Sequence, residues 1–394
     1  MYALLEGLRV LDLTRLLPGG YATQLLGDLG AEVLKVEDPW QGDYMRWMPP
    51  RLPGTKESSL FWGLNRNKKS MTLNLKSKGG KEIFLNLVRR YDVVVEGFRP
   101  GVMEELGLGY EALKEVNPGL IMCSISGYGQ DGPYRERAGH DLNFVALAGV
   151  LGLTGEAPDR APVVPPVQFG DLGGGALMAV VGILAACLAR QRTGRGQYID
   201  VSMLDGMISL MTMVFMEAGA AGPGHLQRGN MLLTGALANY NIYQTKDGKY
   251  LALAAFEDKF WQRFCRIIER EDLARRDHLQ DPAVQEEIMQ VFRGKTRDEW
   301  MALLGGEDIC CEPVLEPAEV KEHPQVIARR MFMELTHSGA GPVEVVAPPL
   351  KFPGAPPREV LPPPGYGEHT VEVLTGELGL TPEEIQKLKE EGVL

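Results

Sequence analysis

Two short apolar runs with a helical stretch between them constrain the fold of this 394-residue chain more than any other feature. Residues 8–14 (LRVLDLT) and 31–37 (AEVLKVE) are rich in Val and Leu, as is typical of strands buried on both faces. Residues 21–30 (YATQLLGDLG) carry apolar side chains at helical spacing. A strand, a helix and a second strand in this order predict a unit of a parallel sheet.

The same alternation continues to about residue 130. Further strands are predicted at 70–75, 92–98 and 120–129, and a helix at 80–91. A long apolar helix is predicted after Gly175, and residues 196–203 (GQYIDVSM) again have a strand pattern. The fold class predicted for this part is therefore α/β, with a Rossmann-like, doubly wound parallel sheet.

The length of the chain and a change of pattern near residue 225 predict two domains. We expect a large Rossmann-like domain over 1–200, a linker helix over 201–224, a small α+β domain over 225–325, and a connector over 326–394 that returns to the large domain. In the small domain, alternating runs on both sides of Lys246-Asp247-Gly248 predict a β-hairpin.

The charge of the chain excludes some classes of partner. A net charge of −11 argues against a nucleic acid or an anionic membrane as the main partner. The longest uncharged run, residues 172–189, barely reaches membrane-spanning length. Because it opens with glycines that favour close helix packing, we expect a core helix and no membrane segment.

The cysteines and the N-terminal residues bear on location. The five cysteines are odd in number and form no CxxC pair or Cys/His spacing, so we expect neither a disulfide framework nor a metal site. The N-terminal run lacks a basic segment and is interrupted by Glu6 and Arg9, so we expect no signal peptide. A reducing cytoplasm fits both observations.

Titratable side chains stand at the predicted starts of two apolar helices. His140 and Asp141 follow Gly139, and Asp171 precedes a run of glycines. Two proton carriers at two helix starts that face one pocket would suit acid–base chemistry on opposite faces of one carbon. The alternative is that these residues are two independent helix caps.

Two further stretches are candidates for ligand contacts. GYGQDG (127–132) matches a GxGxxG pattern but is followed by Pro133 rather than a helix, so the dinucleotide fingerprint fails in its context. The basic stretch 65–81 is either a solvated turn or a contact for a diphosphate or phosphorylated ribose. Arg99, next to Phe98, is a second candidate for such a contact.

Many ordered stretches resemble the family III CoA-transferase superfamily, over nearly the whole chain. The matching stretches are residues 5–20, 26–43, 64–82, 95–113, 117–133, 170–187, 192–206 and 367–374. The resemblance implies a CoA-thioester enzyme built as an interlocked homodimer of two-domain chains. It also implies that CoA enters as part of the acyl-CoA substrate, with no separate cofactor.

The superfamily includes two chemistries. In its transferases, the aspartate matching Asp171 is a nucleophile that forms an aspartyl-CoA thioester while CoA moves to a carboxylic acid. In its α-methylacyl-CoA racemases, which AGHDLNF (138–144) resembles most, residues matching His140 and Asp171 exchange the α-proton through an enolate. A glutamate matching Glu257 pairs with that histidine. We expect a racemase of 2-methylacyl-CoA thioesters in fatty-acid metabolism, with CoA transfer as the alternative.

The resemblance also implies which residues contact CoA. The expected contacts are Arg15, Leu73, Asn74, Leu75, Lys76, Phe98, Arg99, Gly139, Leu142, Asn143 and Phe144, and Asp141 is expected to assist the catalytic pair. Asp38 stands where many racemases have an arginine that contacts a CoA phosphate. A nicotinamide oxidoreductase and a non-catalytic CoA-binding protein remain as minor alternatives.

Overall fold

The computed structural model describes residues 2–275 and 279–394, and they form two units. The first unit comprises residues up to 148 together with 166–211 and 329–394. The second comprises 149–165 and 212–328. These limits differ from the sequence-based division. The predicted linker is split near residue 211, and residues 149–165 belong to the second unit, where Arg228 donates to the Gly152 carbonyl at 3.2 Å.

Six parallel strands form the sheet of the first unit in the order β3-β2-β1-β4-β5-β6. They are β1 (Arg9–Asp12), β2 (Glu32–Glu37), β3 (Lys68–Thr72), β4 (Val93–Glu96), β5 (Ile121–Ser126) and β6 (Tyr198–Ser202). This order is that of a doubly wound dinucleotide-binding sheet, so the predicted fold class is confirmed. Strand β3 begins two residues before its predicted start because buried Lys68, which the apolar pattern excluded, pairs with Val33.

The remaining strands are antiparallel. In the second unit they are β7 (Tyr240–Gln244), β8 (Tyr250–Ala254) and β9 (Cys311–Pro313), and in the first unit β10 (Phe332–His337) and β11 (Gly341–Val346). Strands β7 and β8 confirm the hairpin predicted around Lys246-Asp247-Gly248. The core of the second unit stacks Phe264 on Trp261 and Phe292, with ring centroids 5.5 and 5.7 Å apart.

Helices cover both faces of the parallel sheet. In chain order the α-helices are α1 (Leu17–Asp28), α2 (Ser59–Leu64), α3 (Lys78–Val88), α4 (Val102–Glu105), α5 (Tyr110–Val116), α6 (Asp141–Leu147), α7 (Val150–Leu153), α8 (Met178–Thr193), α9 (Met203–Leu210), α10 (Thr212–Ala221), α11 (Asp258–Ile267), α12 (Pro282–Phe292), α13 (Arg297–Leu304), α14 (Pro317–Glu322), α15 (Pro324–Ala328), α16 (Thr370–Gly376) and α17 (Pro382–Glu390). A π-helical segment, Gly170–Leu177, leads directly into α8.

Alternate residues of each strand point to opposite faces of the sheet and bury two apolar layers. On one face Leu11 and Val94 pack in a cluster that includes Phe84 of α3. On the other face Val10 packs in a cluster that includes Leu26 of α1. Burial on both faces explains why β1 and β4 carry consecutive apolar residues, Val10–Leu11 and Val93–Val95.

The helical stretch Gly170–Thr193 is long and apolar enough to cross a membrane, and so is the bent pair α9 and α10 if it counts as one span. Only 39% of the most apolar window of Gly170–Thr193 is buried in the chain. Ile183 faces the core, whereas Val181 and Leu188 are more than 60% exposed. The expectation of a core helix is therefore correct for one face of it only.

Buried charges lie beneath the end of β1. The Asp12 carboxylate accepts hydrogen bonds from the Thr14 hydroxyl at 2.6 Å and from Lys68 Nζ at 3.1 Å. Lys68 Nζ also donates to the Gly20 carbonyl at 3.0 Å. Lys35 Nζ donates to the Thr14 carbonyl at 2.7 Å and pairs with Asp43 at 3.0 Å. These bonds fix the turn between β1 and α1.

Removing one buried cation should destabilise the first unit. We expect Lys68→Met to lower the free energy of unfolding by about 3 kcal/mol or more, because it leaves the buried Asp12 carboxylate short of a partner. The matched control is Lys69→Met, whose exposed ion pair with Glu372 contributes less than about 1 kcal/mol. Urea denaturation at neutral pH measures both. Equal losses in the two variants would contradict a structural role for the buried network.

Candidate active site

A cleft of about 480 Å³ opens at the carboxyl ends of β1, β4 and β5. Strands β1 and β4 are adjacent, and the chain order of the sheet reverses between them. In open α/β sheets this reversal is where loops diverge and ligands bind. His140 and Asp171 both line the cleft, so the structure brings the two predicted proton carriers to one site.

The loop before α6 carries His140 into the cleft. His140 is the residue that precedes α6, and its backbone N–H donates to Asn143 Oδ1 at 3.0 Å. Gly139 lies against the buried ring of Phe144, where a Cβ at residue 139 would come within 2.7 Å of that ring. Glycine therefore lets the loop approach Phe144 closely and leaves the His140 side chain exposed.

Asp171 lies in the first turn of the π-helical segment, with its side chain half-buried. Its backbone N–H donates to Asp141 Oδ1 at 3.0 Å. Gly170 permits this contact, because a Cβ there would lie 3.0 Å from the same oxygen. Asp141, in the first turn of α6, thus joins the two helix starts that carry His140 and Asp171. The alternative of a helix cap therefore holds for His140, which is the N-terminal cap of α6, and not for Asp171, which lies inside its segment with its backbone N–H bonded to Asp141.

Burial, and after it the nearby charge of Asp141, raise the pKa of Asp171 to about 7. No cation in the described residues forms an ion pair with Asp171. The carboxyl is therefore divided between its acid and its ionised form near neutral pH. A group poised in this way can both donate and accept a proton.

Four arginines line the cleft: Arg15, Arg99, Arg135 and Arg137. Arg15 is paired with Asp38 at 2.9 Å and lies 5.9 Å from the centre of the Phe98 ring. Arg99, Arg135 and Arg137 form no ion pair within residues 2–275 and 279–394, which leaves their charges available to an anion. Sequence reasoning missed Arg135 and Arg137, although two arginines just before His140 in an acidic chain were a usable signal.

Not all residues expected to contact CoA reach the cleft. Phe98, Gly139 and Phe144 line it together with Arg15 and Arg99. Leu142 and Asn143 lie on the first turn of α6 outside the lining, with Leu142 exposed and Asn143 bonded to the His140 backbone.

The stretch Leu73–Lys76 follows β3 at the edge of the sheet and does not line the cleft. Leu73 is buried in the core, so a contact from its side chain to CoA is excluded. Asn74 donates to the Gly392 carbonyl at 3.1 Å, and the N–H of Lys76 donates to Asn74. For Asn74, Leu75 and Lys76 contact with CoA stays a prediction.

The assignment of the basic stretch 65–81 to phosphate groups is wrong for its two most buried cations. Arg66 forms an ion pair with Asp28 at 2.5 Å, and Lys68 belongs to the network of Asp12. Lys69 is exposed but pairs with Glu372. Glu257 precedes α11 in the second unit, and its pairing with His140 stays a prediction.

Comparisons with known proteins show which sequences and structures the whole chain is similar to. Residues 5–370 match the family model of CoA-transferase family III. Succinyl-CoA:glutarate CoA-transferase of Mus musculus is 36% identical over 99% of this chain and 90% of that protein. Alpha-methylacyl-CoA racemase of Mus musculus is also 36% identical, over 99% of this chain and 97% of that protein. A crystal structure of a CAIB/BAIF family protein from Brucella suis covers 95% of this chain and 100% of its own, with a TM-score of 0.82 and 32% identity.

The raised pKa of Asp171 makes stability depend on pH. A carboxyl whose folded pKa lies above its unfolded value of 3.8 supports folding fully only below that value. The support is lost as the pH rises from about 4 through 7. We therefore expect the difference in free energy of unfolding, Asp171→Asn minus wild type, to increase by on the order of 2 kcal/mol as the pH rises over this range. Urea denaturation at several pH values measures the difference, and a constant difference would contradict the raised pKa.

Proposed function

The chain belongs to CoA-transferase family III, and from that premise we propose that it racemises 2-methylacyl-CoA thioesters by transferring the α-proton. The observation that carries this proposal is the pairing of an imidazole with a carboxyl of pKa about 7 in one cleft. Imidazole and carboxyl side chains are the groups that enzymes use most often to transfer protons. Such a pair suits removal of a proton on one side of a carbon and its return on the other.

The proposed reaction needs two proton carriers and no oxidant or reductant. One carrier takes the α-proton, and the electron pair of the C–H bond moves into the thioester as an enolate. The other carrier then donates a proton to the opposite face of the same carbon. His140 and Asp171 exchange roles for the opposite enantiomer, which requires that each can act as acid and as base. CoA enters as part of the substrate, and the proposal involves no separate cofactor.

The cationic lining supports an acyl-CoA substrate. CoA carries phosphate groups, and Arg99, Arg135 and Arg137 are positioned to pair with them. The same charges lower the energy of the negatively charged enolate through space. The aromatic ring of Phe98 offers an apolar surface beside them. Because the chain has a net charge of −11, a local cluster of arginines is a specific indication of an anionic ligand at this cleft.

CoA transfer is the alternative function. Succinyl-CoA:glutarate CoA-transferase is as similar to this chain as the racemase is, and Asp171 offers a carboxyl in the cleft. In that reaction the Asp171 carboxylate attacks the thioester carbonyl and the CoA thiolate leaves, giving a mixed anhydride. The thiolate then attacks the Asp171 carbonyl, which releases the first acid and leaves CoA as a thioester on Asp171. The carboxylate of the acceptor acid runs both steps in reverse, which frees Asp171 and forms the new acyl-CoA. His140 has no necessary role in these steps, so it discriminates the two functions.

We expect His140→Ala to slow racemisation of 2-methylacyl-CoA, and the exchange with D₂O of the α-proton in the enantiomer that His140 deprotonates, by at least about 100-fold, because one face of the carbon loses its proton carrier. Proton NMR of the substrate measures the exchange. The matched control is His225→Ala, an exposed histidine of the second unit, which should retain wild-type exchange. Undiminished exchange in His140→Ala would rule out the proposed role.

The transferase alternative has its own signature. Wild-type enzyme incubated with acyl-CoA and hydroxylamine would then carry a hydroxamate at Asp171, detectable by mass spectrometry. Racemisation in the complete absence of a free carboxylic acid, with no trapped Asp171, supports the racemase. A trapped hydroxamate at Asp171 together with a strict requirement for an acceptor acid would show that the function is CoA transfer and not racemisation.

We further propose that the enzyme is a homodimer of interlocked chains. Leu177, Val181 and Leu188 are 46, 63 and 62% exposed and follow one another at helical spacing along a single face. A contiguous apolar face of this kind is typical of an interface. A second copy of the chain would cover it.

Charges on that face should prevent dimer formation. We expect the double variant Val181→Asp, Leu188→Asp to elute as a monomer in size-exclusion chromatography with light scattering, because a dimer would bury two carboxylates per chain. The control is Leu303→Asp, which places a charge on an exposed leucine of the second unit and should leave the dimer intact. A dimer of unchanged stability in the double variant would show that the interface does not include this face.

A further inference from the structure

Glu96 is a buried carboxyl beside the cleft for which the proposed reaction has no use. It is the last residue of β4 and only 4% exposed. Its Oε2 accepts a hydrogen bond from the backbone N–H of Phe98 at 2.7 Å. A bond of this length to an ionised acceptor is among the stronger hydrogen bonds in proteins.

The surroundings of Glu96 give its charge no counterion. The register of the sheet places Ser124 of β5 next to it and Asp200 of β6 next to Ser124. Among the described residues Glu96 forms no ion pair, and the charges of Glu104 and Asp200 oppose its ionisation. Burial raises its pKa to about 7. A carboxyl without a cation is a costly group to bury.

The hydrogen bond from the Phe98 N–H to Glu96 fixes a loop that lines the cleft. Residues 97–100 connect β4 to α4 and line the cleft. Phe98 packs partly against the core and lies 5.9 Å from the Arg15 guanidinium, and Arg99 carries one of the unpaired charges. Fixing the N–H of Phe98 therefore sets where both side chains stand.

We propose that Glu96 is a positioning residue that holds the loop 97–100 in the conformation that binds CoA. The inference rests on the proposed function for the identity of the ligand, acyl-CoA, and not for the reaction. Because His140 and Asp171 are carried by other elements, Glu96 affects the affinity for CoA and leaves the rate of the bound complex unchanged. It touches neither the substrate carbon nor the two proton carriers.

A pair of nearly isosteric substitutions tests this role. Glu96→Met removes the acceptor and keeps the volume, and Glu96→Gln keeps an acceptor and removes the charge. We expect Glu96→Met to weaken binding of free CoA about tenfold in calorimetry, the loss that matches one hydrogen bond to a charged group. KM for acyl-CoA should rise by the same factor with kcat within twofold. Glu96→Gln should recover most of the affinity.

Hydrogen exchange of the peptide that covers 97–101, measured without ligand, reports on the loop itself. We expect exchange at Phe98 to rise about tenfold in Glu96→Met and to return towards the wild-type rate in Glu96→Gln. Cys123→Ala is the matched control, because Cys123 is equally buried on β5 and pairs with Val95, the neighbour of Glu96, while its side chain packs on the other face of the sheet. It should change neither the exchange nor the affinity.

Three results would overturn the inference: wild-type affinity for CoA in Glu96→Met, an equal loss in Cys123→Ala, or a fall in kcat at unchanged affinity. If Glu96→Met does not fold, Glu96→Gln alone tests the role. Slow amide exchange at Phe98 and wild-type affinity for CoA in Glu96→Gln support it, and fast amide exchange with weakened affinity overturns it. Failure of the racemase proposal is seen in a different measurement, the exchange of the substrate α-proton by the wild type and by His140→Ala. That failure would not change the affinity for CoA.

Discussion

The carboxylate of Asp12, held between two buried lysines, is the interaction on which the cleft depends. Burial alone would raise its pKa, but the charges of Lys35 and Lys68 and the Thr14 and Thr23 hydroxyls outweigh burial and lower it to about 2. Asp12 is therefore ionised at neutral pH. Its bonds reach the turn after β1, whose residues Thr14 to Gly19 form one wall of the cleft.

The carboxyls at the same end of the sheet divide into two groups by the presence of a cation. Asp12 is supplied with lysines, stays charged and supports the fold. Asp171 and Glu96 have no such partner in the described chain, and burial raises the pKa of each to about 7. The guanidinium groups that could have neutralised them line the cleft instead, where a phosphorylated ligand can pair with them. The protonation of Asp171 and Glu96 therefore depends on pH, and a perturbed pKa of this kind is typical of functional sites.

The sequence predicted the parallel sheet well because its strands are buried on both faces and leave an uninterrupted apolar signal. It also placed His140 and Asp171 together, since both precede apolar helices that start at the same edge of the sheet. It misjudged Arg66 and Lys68, because a cation buried in an ion pair and a cation exposed to a phosphate look alike in a single chain. The limits of the two units differ from the predicted domain limits. Residues 149–165 belong to the second unit, where Arg228, which is distant in sequence, donates to the Gly152 carbonyl.

Asp171 explains how one family supports both racemisation and CoA transfer. A carboxyl with a pKa near 7 populates its acid form, which can protonate an enolate, and its ionised form, which can attack a thioester. The two reactions differ in what faces the α-carbon from the other side. A side chain with a basic nitrogen can remove the α-proton, whereas a side chain without a basic atom leaves the carbonyl as the only reactive centre. His140 lines the cleft, and under the proposed function it is this acceptor and favours inversion at the α-carbon over attack on the carbonyl.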